Sequence, residues 1–150
     1  MSTKHPIISV TGSSGAGTST VKTTFDQIFR REKVKTVSIE GDAFHRYNRA
    51  DMKAELEKRL TEGDHSFSHF SLEANELGEL ERVFSEYGET GAGKTRFYVH
   101  SDEEAKTLGT PSGEFTDWAD FEKDSDLLFY EGLHGAVKTD DINVAGQADL

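Results

Sequence analysis

The β-branched apolar run PIISV, residues 6–10, stops at the glycine-rich turn TGSSGAG, and helical periodicity begins directly behind it. This succession constrains the fold more than any other feature of the chain. A short apolar run bounded by turn residues reads as a buried strand. Val21, Phe25, Ile28 and Phe29 then recur at helical spacing, and Arg30, Arg31 and Lys33 gather where a helix C-terminus favours cations. Residues 34–40 (VKTVSIE) alternate, with Val37 and Ile39 apolar, and read as a second strand. Strand, helix and strand with short connections make a βαβ unit, which predicts parallel pairing and a right-handed crossover.

Downstream, Met52, Leu56 and Leu60 share one stripe of a predicted helix over residues 51–60. Leu77, Leu80, Phe84 and Tyr87 do the same in a helix expected to end near Tyr87. TRFYVH, residues 95–100, alternates and predicts a strand, with Phe97 and Val99 offset from Tyr98 and His100. Residues 101–113 read as an acidic loop containing glycine and proline. Residues 126–130 (DLLFY) resemble a buried central strand. The expected class is α/β, a mostly parallel sheet flanked by helices, in a single domain over residues 1–150.

Composition narrows the function classes. The chain has no cysteine, which excludes disulfides, thiolate metal sites and cysteine nucleophiles. Its 28 acidic and 17 basic residues give a net charge of −11, against the basic face of a nucleic-acid binder. No apolar run reaches the roughly 18 residues of a membrane span, and the N-terminal apolar segment is too short for a signal peptide. The expectation is a cytoplasmic protein without nucleic-acid or membrane partners.

Two stretches compete as a phosphate loop. GETGAGKT, residues 88–95, matches G-x-x-x-x-G-K-[ST] at every fixed position, whereas GSSGAGTS, residues 12–19, has Thr18 where the lysine belongs. A phosphate loop must leave a buried strand and open into a helix, whose first amides and dipole then face the anion. The imperfect match has that context. The perfect match follows a helix and precedes an alternating segment, so its glycines read as a helix cap and turn, supplied by Gly88, Gly91 and Gly93. Context therefore selects residues 12–19. Ser19 holds the position whose hydroxyl reaches Mg²⁺, and Lys94 is a candidate substitute cation.

Acids at strand ends complete the pattern. Parallel strands bring their C-terminal ends to one edge, where ligands of open α/β sheets bind. Asp42 and Glu131 follow the second strand and the DLLFY run, so both are expected beside the loop. An acid after an apolar strand suits a magnesium ion that bridges phosphates, and a carboxylate near a γ-phosphate can take the proton of an attacking hydroxyl. His45, Arg46 and Arg49 close by suit an anionic second substrate such as a sugar phosphate. His134 reads as lining the same crevice, and His100, at the end of TRFYVH, as substrate-side. His65 and His69, spaced i, i+4 without a third ligand, read as a solvated or hydrogen-bonded pair.

Taken together, HPIISVTGSSGAGTSTV, SIEGDAFHRYNR, SHFSLEANEL, YGETGAGKTRFYVH and LLFYEGLHG resemble, in collinear order from Lys4 to Leu150, phosphoribulokinases of the proteobacterial type, relatives of uridine and pantothenate kinases. The resemblance implies a P-loop kinase fold and transfer of the ATP γ-phosphate to the 1-hydroxyl of ribulose 5-phosphate for carbon fixation. It implies that Gly12, Ser13, Ser14, Gly15, Ala16, Gly17, Thr18, Ser19 and Thr20 bind the ATP phosphates. It implies further that Asp42 is the general base, that Glu131 helps hold Mg²⁺, and that His45 and Arg49 contact the sugar phosphate. An allosteric or intersubunit place for Arg31, a homo-oligomer and activation by NADH are implied as well. The family is longer, so a further strand is expected to begin at GQADL, with a lysine, an arginine and a second functional aspartate beyond it, and the strand at residues 126–130 is expected to border an open edge. Two other readings stand beside this one: a truncated piece that binds nucleotide or a kinase subunit, and a kinase acting on a nucleoside.

Overall fold

The computed structural model describes residues 4–150. In chain order the elements are β1 (Ile7–Thr11), α1 (Thr18–Arg31), β2 (Thr36–Glu40), α2 (Arg49–Thr61), α3 (Leu77–Thr90), β3 (Lys94–Thr95), α4 (Asp102–Leu108), β4 (Ala119–Asp120) and β5 (Leu127–Gly132). The fold is α/β, with β1, β5 and β2 in a parallel three-stranded sheet in that order.

The strands of the first strand–helix–strand unit are thus parallel, as predicted, but they do not pair with each other. β5 lies between them, with Leu128 opposite Ile7 on one side and Val37 on the other. The physical reason is apolarity on both faces. Leu128, Phe129 and Tyr130 are all fully buried, and such a strand is stable where helices cover both faces and neighbours cover both edges. The expected open edge at residues 126–130 is therefore wrong; the edges of this sheet are β1 and β2. Along the outer side of β1, the amides of Asp149 and Leu150 donate to Ile7 O, and Ser9 N donates to Leu150 O at 2.7 Å. That is the position where the sequence anticipates a further strand.

Alternation in β5 assigns the helices to faces. Leu128 and Tyr130, with Ile7, Val37 and Ile39, pack on Leu80, Val83, Phe84 and Tyr87 of α3. Phe129 points the other way, against Phe25 and Phe29 of α1 at ring distances of 5.2 and 5.5 Å. Each such side chain contributes roughly 1.5–3 kcal/mol on burial. In α2, Met52 is buried and Leu56 packs beside it, but Leu60 is exposed, so the predicted stripe is shorter than its helix.

Two segments depart from expectation. TRFYVH is not a strand of the sheet. Only β3 forms a ladder, antiparallel to β4, and the rest pairs irregularly through a single bridge from Tyr98 to Phe115 and bonds between Val99 and residues 113–114. The predicted acidic loop contains α4, capped by Ser101, whose Oγ accepts from Glu104 N at 3.2 Å. The Ser-x-x-Glu spacing at residues 101–104 is the sequence signal for that start. No helix among the described residues is long and apolar enough to cross a membrane.

Candidate active site

The loop after β1 has the geometry that phosphate binding requires. Gly15 and Gly17 take φ of 82° and 87°, values that side-chain-bearing residues rarely adopt. Gly17 is the N-cap of α1 and no side chain caps the helix, so its first amides face the loop. The loop is tied to the end of β5, with Gly12 N donating to Gly132 O at 3.2 Å and Thr11 Oγ1 to Leu133 O at 2.9 Å. Thr18, at the position of the usual lysine, folds back, and a Cβ on Gly12 would stand 2.9 Å from its Cγ2.

β-strand parity then places the acids. Glu40 and Glu131 are in register on adjacent strands, and Glu131 is two residues beyond Phe129, on the face of α1. Both line a cleft of about 650 Å³ with Gly12, Ser13, Ser14, Gly15, Thr18 and Ser19. Burial pushes the Glu40 carboxyl up from its ordinary value, against the pull of Lys22. Lys22, one turn beyond Thr18 on α1, is the one lysine or arginine among the described residues lining this cleft, and it pairs with Asp26 at 3.0 Å.

Asp42 enters on a 3-10 turn, Gly41–Phe44, that follows β2. Gly41 and Gly132 meet backbone to backbone there, since a Cβ on Gly41 would fall 2.9 Å from Gly132 Cα. This close approach brings the Asp42 turn to the end of β5. The Asp42 carboxylate is held by two imidazoles: His100 Nε2 at 2.7 Å from Oδ2 and His45 Nε2 at 3.2 Å from Oδ1. Asn75 uses its amide N–H groups on His69 O and Ser71 O, leaving Oδ1 to accept from His45 Nδ1 at 2.8 Å. With Nδ1 donating and Nε2 facing a carboxylate, the protonated imidazole fits best. His100 is similar, because Nδ1 lies 3.3 Å from Glu104 Oε2.

The titrations follow. The hydrogen bond from His45, with that from His100, lowers Asp42 to about 2 against the opposing effect of burial. Burial pulls both histidines down, but the Asp42 hydrogen bond and charge outweigh it, with help from Asn75 for His45 and from Glu104 for His100, so both rise above the ordinary value. His134 is buried and lowered by that burial, and its Nε2 donates to Phe70 O at 3.1 Å.

A second pocket of about 400 Å³ adjoins the cleft and shares Asp42, His45, His69 and His100 with it; Arg49, Lys53, Tyr47, Met52 and Tyr98 complete much of its wall. Arg49 is braced there, donating to Ser112 Oγ at 3.0 Å and His100 O at 2.9 Å.

Among the predicted site residues, Gly12, Ser13, Ser14, Gly15, Thr18, Ser19, Asp42, His45 and Glu131 converge on the cleft, and Arg49 lines the adjoining pocket. Ala16, Gly17 and Thr20 shape the loop and helix start without lining the cleft. Lys94 is elsewhere, 3.8 Å from Asp120 on the β3–β4 ladder, and is no substitute cation. Sequence reasoning passed over Lys22, Lys53 and Glu104, and placed Glu40 at the strand edge without a role of its own. Lys22 was recoverable from its i+4 spacing to Thr18. No described group of three or more His, Asp or Glu side chains makes a metal site by itself. Ser19 and Glu131 both line the cleft and carry the oxygen donors that Mg²⁺ takes from a protein.

The chain matches the model of the phosphoribulokinase / uridine kinase family over residues 7–150. It is 75% identical over 150 residues to phosphoribulokinase 1 of Cereibacter sphaeroides, covering all of this chain and 52% of that protein. It is 63% identical over 147 residues to the phosphoribulokinase of Nitrobacter vulgaris, covering 98% of this chain and 51% of that one. The solved phosphoribulokinase from Rhodobacter spheroides superposes with a TM-score of 0.87 at 70% identity, over 98% of this chain and 50% of that structure. The chain spans about half the length of the relatives it matches. It belongs to the phosphoribulokinase / uridine kinase family.

Proposed function

We propose that this chain carries the phosphate loop, general base and part of the acceptor pocket of a kinase that transfers the γ-phosphate of ATP to the 1-hydroxyl of ribulose 5-phosphate. The observation that carries the reading is Asp42, held by His45 and His100 at the junction of a phosphate-loop cleft and a pocket bearing Arg49 and Lys53. Residues 12–20 receive the ATP phosphates through backbone amides and the α1 N-terminus. Ser19 and Glu131 would hold Mg²⁺, which would supply charge neutralisation at the ATP phosphates. Asp42, kept ionised by its imidazole partners, accepts the proton of the sugar hydroxyl. Arg49 binds the acceptor phosphate, and the protonated His45, whose ring nitrogens face Asp42 and Asn75, adds its charge beside it. A cytoplasmic homo-oligomer responsive to NADH belongs to the same reading, carried by the family alone.

Tyr47 and Tyr98 in the pocket wall favour a second reading, a nucleoside acceptor stacked on an aromatic ring. Two variants separate the readings, in a protein of the relatives' full length that carries this sequence. Arg49→Ala should raise KM for ribulose 5-phosphate roughly 10- to 150-fold, the loss of one charge-assisted hydrogen bond, His45→Ala should raise it less through lost charge, and both should leave KM for ATP nearly unchanged. Turnover of uridine at rates above those for ribulose 5-phosphate would select the nucleoside. Asp42→Asn should lower kcat about 10²–10⁴-fold, measured by ADP release; near-normal turnover removes Asp42 as the base.

A further inference from the structure

The GETGAGKT segment matches a phosphate loop in pattern but not in setting. Its own construction shows a different task. Residues 88–90 form the last turn of α3, Gly91 caps it, Gly93 rests on the Phe121 ring, and β3 pairs with β4. The chain emerging from this anchored turn presents Arg96. Its Nε donates to Ala43 O at 2.8 Å and its Nη2 to His45 O at 3.0 Å. Its Cζ lies over the Phe115 ring, 3.7 Å from the centroid, and over the Trp118 ring, 4.8 Å from the centroid. Trp118 in turn meets Phe44, the last residue of the Asp42 turn, at 5.9 Å.

We propose that Arg96 is a positioning residue for phosphoryl transfer, fixing the backbone that joins Asp42 to His45. The two carbonyls it binds belong to residues 43 and 45, one and three residues after Asp42, the second being that of His45 itself. A single 3-10 turn has poor internal hydrogen-bond geometry, so an external clamp decides where its side chains point. A planar fork spans two carbonyls while stacking on two rings; an ammonium does not. The inference rests on the reading of Asp42 as the base.

The test is a double-mutant cycle on a protein of the relatives' full length that carries this sequence, read as ADP release with Mg·ATP and ribulose 5-phosphate. Arg96→Gln should lower kcat roughly 10- to 100-fold, because a displacement of about 1 Å costs on that order. KM for ATP should change less than about threefold, since the phosphate loop is untouched. In an Asp42→Asn background the same change should cost less than about threefold, because residues acting as a unit are not additive. Equal losses in both backgrounds overturn the inference and leave the proposed function intact. Near-normal turnover of Asp42→Asn alone removes the base and Arg96's part with it. Arg96→Lys keeps charge and stem and carries the comparison if the glutamine variant does not fold. Its kcat should fall as far, and full turnover would overturn the positioning role.

Discussion

The two glycine-rich loops share a pattern and differ in what surrounds their glycines. Around Gly15 and Gly17 a Cβ would meet no heavy atom within 4 Å, and the positive φ faces open space at a helix start. Around Gly91 and Gly93 a Cβ would fall 2.6 Å from the rings of His5 and Phe121. The first loop leaves room for a ligand; the second is filled by its own protein. A sequence pattern records that small residues are needed and is silent on whether ligand or side chain claims the space. Strand-before and helix-after is the part of the context that tells them apart.

The sharpest way to break this comparison is to put a β-branched residue in each loop. Gly17→Val forces an unfavourable backbone at the helix start, with no clash to relieve, and should weaken ATP binding more than about 10²-fold, as two or more lost amide contacts would. Calorimetric titration checks it, and preserved affinity would return the choice of loop to residues 88–95. Gly91→Val should act on the fold instead. Strain of about 1–3 kcal/mol and the contact with His5 should lower Tm by several degrees, while ATP affinity of the folded fraction stays near wild type.

A pH series sharpens the contrast from the other side. His45 and His100 have raised folded values, so their pairing with Asp42 stabilises fully below the unfolded value of 6.5 and is lost as pH rises through the folded ones. Asp42 titrates in the opposite sense. Its contribution is present above 3.8 and fades as pH falls towards about 2. Thermal stability should therefore decline modestly as pH climbs above 6.5, by less than ~1 kcal/mol per half-exposed pair. Asp42→Asn should flatten that decline. An unchanged slope would dissociate the imidazoles from Asp42. The smallest effect expected is that of Lys94→Ala. Its ion pair with Asp120 is long and exposed, so stability should move by less than ~0.5 kcal/mol and ATP affinity by less than about twofold.

What was legible in the sequence is local. β1, α1 and β2 follow from runs and periodicity, and the placement of Asp42 and Glu131 follows from the rule that parallel strand ends share an edge. The apolar run at residues 126–130 reads as a buried central strand and is one, but its place between β1 and β2 was not legible, because strand order is a property of the whole sheet. His100 shows the same limit. Its contact with Asp42 depends on an irregular segment braced by β4, Phe115 and α4, and no period of 2 or 3.6 marks such a path. Arg96 was hidden for a further reason. The glycines before it drew attention to phosphate chemistry, whereas its partners are carbonyls some fifty residues earlier.

The central position of β5 also sets an order of events. β1 and β2 touch the sheet only through a strand that lies about a hundred residues further along the chain. At synthesis rates of roughly 5–20 residues per second, β1 waits on the order of 6–25 s for its first partner. During that interval the β1 segment and the glycine-rich loop behind it have no sheet to anchor them. Non-local pairing of this kind slows folding, so the glycine-rich loop, made before the rest of the sheet, is among the last parts to take shape.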